Sequence, residues 1–161
     1  MDIDKTILDD TNLEKLNVLD NKYVMEIVEK YVKLCKPAKV TVITDEKKDI
    51  DYVRNLSIKN GEEKKLAMEG HTIHYDGYND QARDKANTKA LISKGRKLSK
   101  VINTGDRDEC LKEVHEILDG IMEGKEMIIR FFCLGPLNSK FSISALQLTD
   151  SSYVGHSEDI L

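Results

Sequence analysis

The chain has no tryptophan, two prolines, three cysteines and only 6% aromatic residues, so few large rings are available to organise a core. It has no apolar run approaching the roughly 18–20 residues that span a bilayer. Its first twenty residues are acidic and polar, unlike a secretory leader with basic and then apolar residues. Basic excess is lacking too: 25 Lys and Arg stand against 29 Asp and Glu, a net charge of −4. With a pI near 5.6 this argues against a nucleic-acid binder, which needs a basic face. None of the phosphate-loop, dinucleotide, zinc-protease or nucleophile-elbow motifs occurs, and neither repeats nor low-complexity segments are found. Cys35, Cys110 and Cys133 are odd in number and far apart, without metal-ligand spacing. Reduced thiols in a cytoplasmic protein are the expectation.

What is present suits one domain, or one lobe of a larger protein: 161 residues, 40% hydrophobic and 34% charged. The chain is organised around Met127 to Tyr153. The apolar run Met127–Leu134 is broken only by Arg130, then Gly135-Pro136 makes a turn, and Phe141, Ile143, Ala145, Leu146 and Leu148 nearly alternate. This reads as two buried strands of a core hairpin, joined by a turn with little freedom because Pro136 fixes φ.

Upstream, Val24, Ile27, Val28, Tyr31, Val32 and Cys35 recur at helical spacing after a cap at Asp20 or Asn21, and Lys36-Pro37 ends that helix. Residues 39–44 read as a β-branched strand, with Asp45 capping an amphipathic helix over 46–60. Residues 62–69 are expected to form a short helix with a solvated charged face, and 70–80 a polar, glycine-punctuated surface. A further helix is expected over 106–122, capped by Asp106 or Thr104, and a last one from Ser152, capped by Asp150 or Ser151. The sheet is predicted to contain 39–44, 126–133 and 141–149, with helices 20–35 and 106–122 packed on it.

Catalytic signals are sparse. Cys133 and Ser139 have no histidine or acid placed to activate them. His71, His74 and Asp76 could ligate a metal in principle, but an extended segment sends the two histidines to opposite faces. His115 lies off the apolar face of its helix and is expected to see solvent. The run GRKLSK, residues 95–100, is a local basic patch. Arg83, in a polar loop, is suited to grip a carboxylate or phosphate through two parallel N–H bonds.

Four blocks carry a resemblance. Phe132-Cys133-Leu134-Gly135-Pro136-Leu137-Asn138-Ser139 resembles the F-S-M-G-P-L-G-S stretch of the GTP-dependent phosphoenolpyruvate carboxykinases. Leu148-Thr149-Asp150-Ser151-Ser152-Tyr153-Val154 is similar to that family's E-L-T-D-S-P-Y-V, at the same distance downstream. Leu34-Cys35-Lys36-Pro37 through Ile43-Thr44-Asp45 is similar to L-C-x-P-x-x-x-x-I-C-D, and Asp80-Gln81-Ala82-Arg83 stands in the place of R-D-V-A-R. Arg130 stands where the family usually has proline, and Asn138 replaces its second glycine.

The resemblance covers residues 20–161, after an acidic lead-in over 1–19. It implies an α/β fold, the mixed-sheet N-terminal lobe of that enzyme, with helices packed on the sheet. It implies the reaction of oxaloacetate and GTP to phosphoenolpyruvate, GDP and carbon dioxide, a step of gluconeogenesis, with Mn²⁺ and with Mg²⁺ on the nucleotide. Arg83 would be the substrate-binding residue, holding oxaloacetate or phosphoenolpyruvate. Catalytic, nucleotide-binding and metal-binding residues are expected only beyond Leu161, so the chain reads as a fragment, inactive alone, whose partner is the absent nucleotide-binding domain. Neither nucleic acid nor membrane is an expected partner. The alternative is a free-standing α/β interaction module descended from that lobe without its chemistry.

Overall fold

The computed structural model describes residues 2–77, 84–85 and 88–159. Its centre is a three-stranded sheet in the order β1-β6-β7. The parallel pair is β1 (Lys39–Val42) on β6 (Glu126–Leu134), registered from Lys39 on Glu126 to Val42 on Ile129. On its other side β6 pairs antiparallel with β7 (Ile143–Thr149), from Ile128 on Thr149 to Leu134 on Ile143. The sheet is therefore mixed, as the sequence predicts.

Side-chain alternation along β6 sends its residues into two layers. Met127 and Ile129 join Val40 and Val42 of β1 on one face. Helix α2 (Lys22–Cys35) covers that face with Val28, Val32 and Cys35. Asn21 caps it by accepting from the Tyr23 and Val24 amides, and Lys36, at φ +52°, ends it. The stretch before it is less of a lead-in than its composition suggests. Helix α1 (Asp10–Asn17), capped by Asp9, buries Leu16 in the same cluster, and Leu8 lies there too.

On the opposite face, Ile128 meets Ile43 and Val53, the latter from helix α3 (Lys47–Lys59). Helix α5 (Ser152–Ser157), capped by Ser151, packs against α3 and β6. Its Gly155 is the close contact of this layer: a Cβ there would lie 3.2 Å from Ile128 Cγ2 and 3.3 Å from Val53 Cγ2.

Several local expectations need correction. Residues 62–69 hold no helix: Lys64–Lys65 form β2, paired antiparallel with β3 (Thr72–Ile73). Two short parallel strands, β4 (Ala90–Ile92) and β5 (Thr104–Asp106), precede α4 (Arg107–Leu118), where a helix was expected from 106 to 122. Asp106 caps α4, and the turn after it sends Met122 into the core. α4 fully buries none of its residues, and it touches α2, β4 and β5 rather than lying flat on the main sheet. The cap before α3 is Glu46, not Asp45, and its side chain makes no capping hydrogen bond. The three cysteines are free. Among the described residues no helix is long and apolar enough to cross a membrane.

The contact at Gly155 gives a direct test of the second layer. Gly155→Val should lower the unfolding free energy by about 1–3 kcal/mol through overpacking against Ile128 and Val53. Urea denaturation with an unchanged midpoint would contradict this packing.

Candidate functional site

Arg83, the substrate-binding candidate, lies outside the described residues, as do Asp80, Gln81 and Ala82. The described chain on either side of 78–83 is fastened. Downstream, the Asp84 carbonyl accepts from the Thr88 amide at 2.9 Å and from its hydroxyl at 2.6 Å. Asn103 Nδ2 donates to the Lys85 carbonyl at 2.6 Å, and the Asn103 carbonyl accepts from the Ala90 amide, which ties this side to β4.

Upstream, the fastening runs through His74. Its ring stacks on Tyr153 with centroids 3.6 Å apart and planes 8° from parallel. Its Nδ1 lies 2.6 Å from the Glu62 carbonyl oxygen, and its Nε2 lies 3.3 Å from the Asp76 carboxylate. Tyr153 belongs to the block Leu148–Val154, and Ser151, Ser152 and Tyr153 of that block are held by the same glutamate. The Glu62 carboxylate accepts from the Ser152 amide at 3.0 Å, the Tyr153 amide at 2.9 Å, and the hydroxyls of Ser151 and Ser152. Burial alone would raise the Glu62 pKa. The hydrogen bonds from Ser151, Ser152 and Tyr153 outweigh it and leave the carboxyl below its usual value.

Behind this seat lies a second buried polar group. Arg130, 6% exposed, forms a two-pronged pair with Asp159. His156 lies between Asp159, 3.7 Å from its Nδ1, and Glu63, 3.8 Å from its Nε2, while Glu63 accepts from Thr72 at 2.6 Å. Arg130 thus fastens the chain just beyond α5 to β6 by charge.

The end of β1 opens on a groove of about 390 Å³, lined in part by Lys15, Thr44, Asp45, Phe131 and Arg130. Lys15 donates to Asp49 at 2.7 Å and to the Val42 carbonyl at 2.8 Å. Burial would raise the Asp49 pKa, but Lys15 and Thr44 outweigh it and lower it. Lys15 and Arg130 are thus matched within the fold by Asp49 and Asp159.

The two histidines diverge, as expected of an extended segment: His71 Nδ1 lies near the Glu69 carbonyl, whereas His74 turns to Glu62 and Tyr153. Among the described residues no three His, Cys, Asp or Glu side chains gather as a metal site. The described residues therefore offer no ligand set for the implied manganese. His115 is half-buried beside Leu34 rather than fully solvated. The solvated-face reading of 62–69 fails at Glu62 and Glu63, whose partners Ser151, Ser152 and His156 lie some ninety residues downstream. No local signal in the sequence points to them.

The block at Leu148–Val154 is thus the seat that holds the upstream side of the segment containing Arg83, and residues 26–161 match the family model described as the phosphoenolpyruvate carboxykinase N-terminal domain. The chain belongs to that family. It is 55% identical over 157 residues to the GTP-dependent phosphoenolpyruvate carboxykinase of Thermococcus sibiricus, covering 98% of this chain and 25% of the relative. The enzyme of the same name from Pyrococcus abyssi is 53% identical over the same length, and that from Sulfurisphaera tokodaii is 40% identical over 96% of this chain. The chain spans about a quarter of the length of these carboxykinases.

Glu62 supplies the test of the seat. A carboxyl whose folded-state pKa is depressed stabilises above its unfolded pKa and loses that contribution as pH falls. Glu62→Gln should cost about 2 kcal/mol at neutral pH, and the gap to the parent chain should narrow below about pH 4. Denaturant titrations showing one constant gap across this range would contradict the assignment.

Proposed function

We propose that this chain is the substrate-side N-terminal portion of a GTP-dependent phosphoenolpyruvate carboxykinase. The observation that carries the reading is the match of residues 26–161 to this domain, together with identity across 98% of the chain to carboxykinases of that name. In the whole enzyme oxaloacetate loses carbon dioxide, the electrons of the broken C–C bond form an enolate, and the enolate oxygen takes the γ-phosphoryl group of GTP. The products are phosphoenolpyruvate, GDP and carbon dioxide.

Within this chain the residue assigned to substrate is Arg83. Its guanidinium offers paired donors to a carboxylate or phosphate and a fixed positive charge, which orients the anion and offsets charge developing on it. The described chain on either side supports the assignment. His74 on Tyr153 fastens the upstream side, and Asp84–Thr88 with Lys85–Asn103 fastens the downstream side. The cradle for GTP, the sites for Mn²⁺ and Mg²⁺, and the catalytic groups are assigned to polypeptide outside this chain. Turnover by the chain alone is therefore not expected, and the whole enzyme is placed in the cytoplasm.

Arg83→Gln tests the assignment in a full-length chimera, with this chain replacing the matched quarter of the Thermococcus sibiricus enzyme. The substitution should lower kcat/KM for oxaloacetate by about two to three powers of ten, on the order of 3–4 kcal/mol, with GTP affinity and melting temperature nearly unchanged. Arg83→Lys keeps the charge without the paired geometry and should recover only part of the loss. Unaltered oxaloacetate kinetics would move the site elsewhere.

A further inference from the structure

The most family-specific wording of the chain does not lie in its core. β1 pairs with β6 only as far as Ile129, whereas β6 continues to Leu134, with β7 alone beside it. Beyond Ile129 the hairpin is a two-stranded arm, a form of marginal stability in water without cover. Leu134 and Ile143 are directly paired across it and are 53% and 62% exposed. At its tip Leu137 is 76% and Phe141 73% exposed. The alternation predicts a buried hairpin here, whereas its far end is apolar and exposed.

The tip has a fixed shape. Gly135 has φ +90°, and a Cβ on it would lie 3.1 Å from the Phe141 carbonyl oxygen. Asn138 sits at φ +57°, a left-handed conformation that asparagine tolerates, so it can stand where the family has glycine. The Ser139 amide donates to the Pro136 carbonyl at 3.3 Å and the Ser142 amide to the Ser139 carbonyl at 3.0 Å, while the Ser142 hydroxyl also reaches Pro136. These hydrogen bonds close the turn on itself while Leu137 and Phe141 stay exposed. Residues 131–139 carry no charge. An apolar surface on a shaped turn, with Lys140 its one charge, is the composition of an interface centre rather than of a free surface.

We propose that the arm, residues 134–143, is the docking element by which this lobe engages the remainder of its own enzyme, the polypeptide that its relatives carry outside the matched quarter. The occupant follows from length and chemistry. The matched carboxykinases are about four times as long as the shared segment, and the arm carries a single charge, Lys140, set over the Phe141 ring, too little to select a strongly charged foreign partner. The proposal rests on the reading of the chain as a portion of a carboxykinase. It assigns Leu134, Leu137, Phe141 and Ile143 a role as interface anchors, buried against that polypeptide.

Amide hydrogen exchange over residues 135–142, read by mass spectrometry, tests this in the isolated chain and in the full-length chimera. Exchange should slow by about tenfold or more in the chimera. Leu137→Asp with Phe141→Asp should lower the melting temperature of the chimera and leave that of the isolated chain unchanged. Equal exchange rates in the two proteins would overturn the proposal. So would a concentration-dependent dimer of the isolated chain that the paired substitution abolishes, since the occupant would then be a second copy. Phosphoenolpyruvate formation separates this inference from the reading beneath it. Turnover with an unprotected arm overturns the interface alone, while a protected arm with turnover insensitive to Arg83→Gln supports the interface and overturns the substrate site.

Discussion

Met127, Ile128 and Ile129 of β6 are almost wholly enclosed, paired with β1 and, from Ile128 on, with β7 as well, with a helical layer on each face. Since side chains alternate, a slip of one residue would exchange the contents of the two layers, so these three positions fix the register. Everything near the candidate site follows from that register. Ile128 faces Gly155, whose missing side chain lets α5 approach β6 and α3 closely. The position of α5 sets Ser152 and Tyr153 on the Glu62 carboxylate, and Tyr153 in turn receives the ring of His74.

This chain of contacts gives the lobe a division of labour. The core and the Glu62 seat are ordered by burial and by hydrogen bonds to a charged acceptor, interactions that make local opening costly. Arg83 belongs to a segment whose described neighbours are tied down on both sides. Fastening the flanks would lower the conformational entropy that the proposed binding of substrate at Arg83 must overcome. The β6–β7 arm leaves the sheet in another way, with hydrogen bonds closing its turn and its apolar groups exposed. One strand, β6, thus belongs to the core at its start and to a surface at its end.

The layers were legible in the sequence because they rest on periodic patterns: Val24 to Cys35 for α2, the β-branched run for β1, and Met127 to Leu134 for β6. The family wording was legible for a different reason, since G-P-L-x-S and L-T-D-S-x-Y-V are short and specific. Pairing and burial that depend on distant partners were not. Glu62 reads as part of a charge run until Ser151 and Ser152 are brought to it, and Lys64–Lys65 becomes a strand only through Thr72–Ile73. Phe141 and Ile143 alternate as a buried strand would, yet local pattern does not reveal that the adjoining strand stops at Val42. Leu16 lies in an acidic stretch without apolar periodicity, although its side chain is fully buried.

The central claim is that the Leu148–Val154 block serves substrate binding by holding the segment that carries Arg83. A double-substitution cycle in the full-length chimera, reading kcat/KM for oxaloacetate with Tyr153→Leu and Arg83→Gln, tests it most directly. If Tyr153 acts through Arg83, its replacement lowers kcat/KM in the parent protein and has little further effect once Arg83 is glutamine. Two losses that simply add would contradict the account, since the seat and the arginine would then be acting independently.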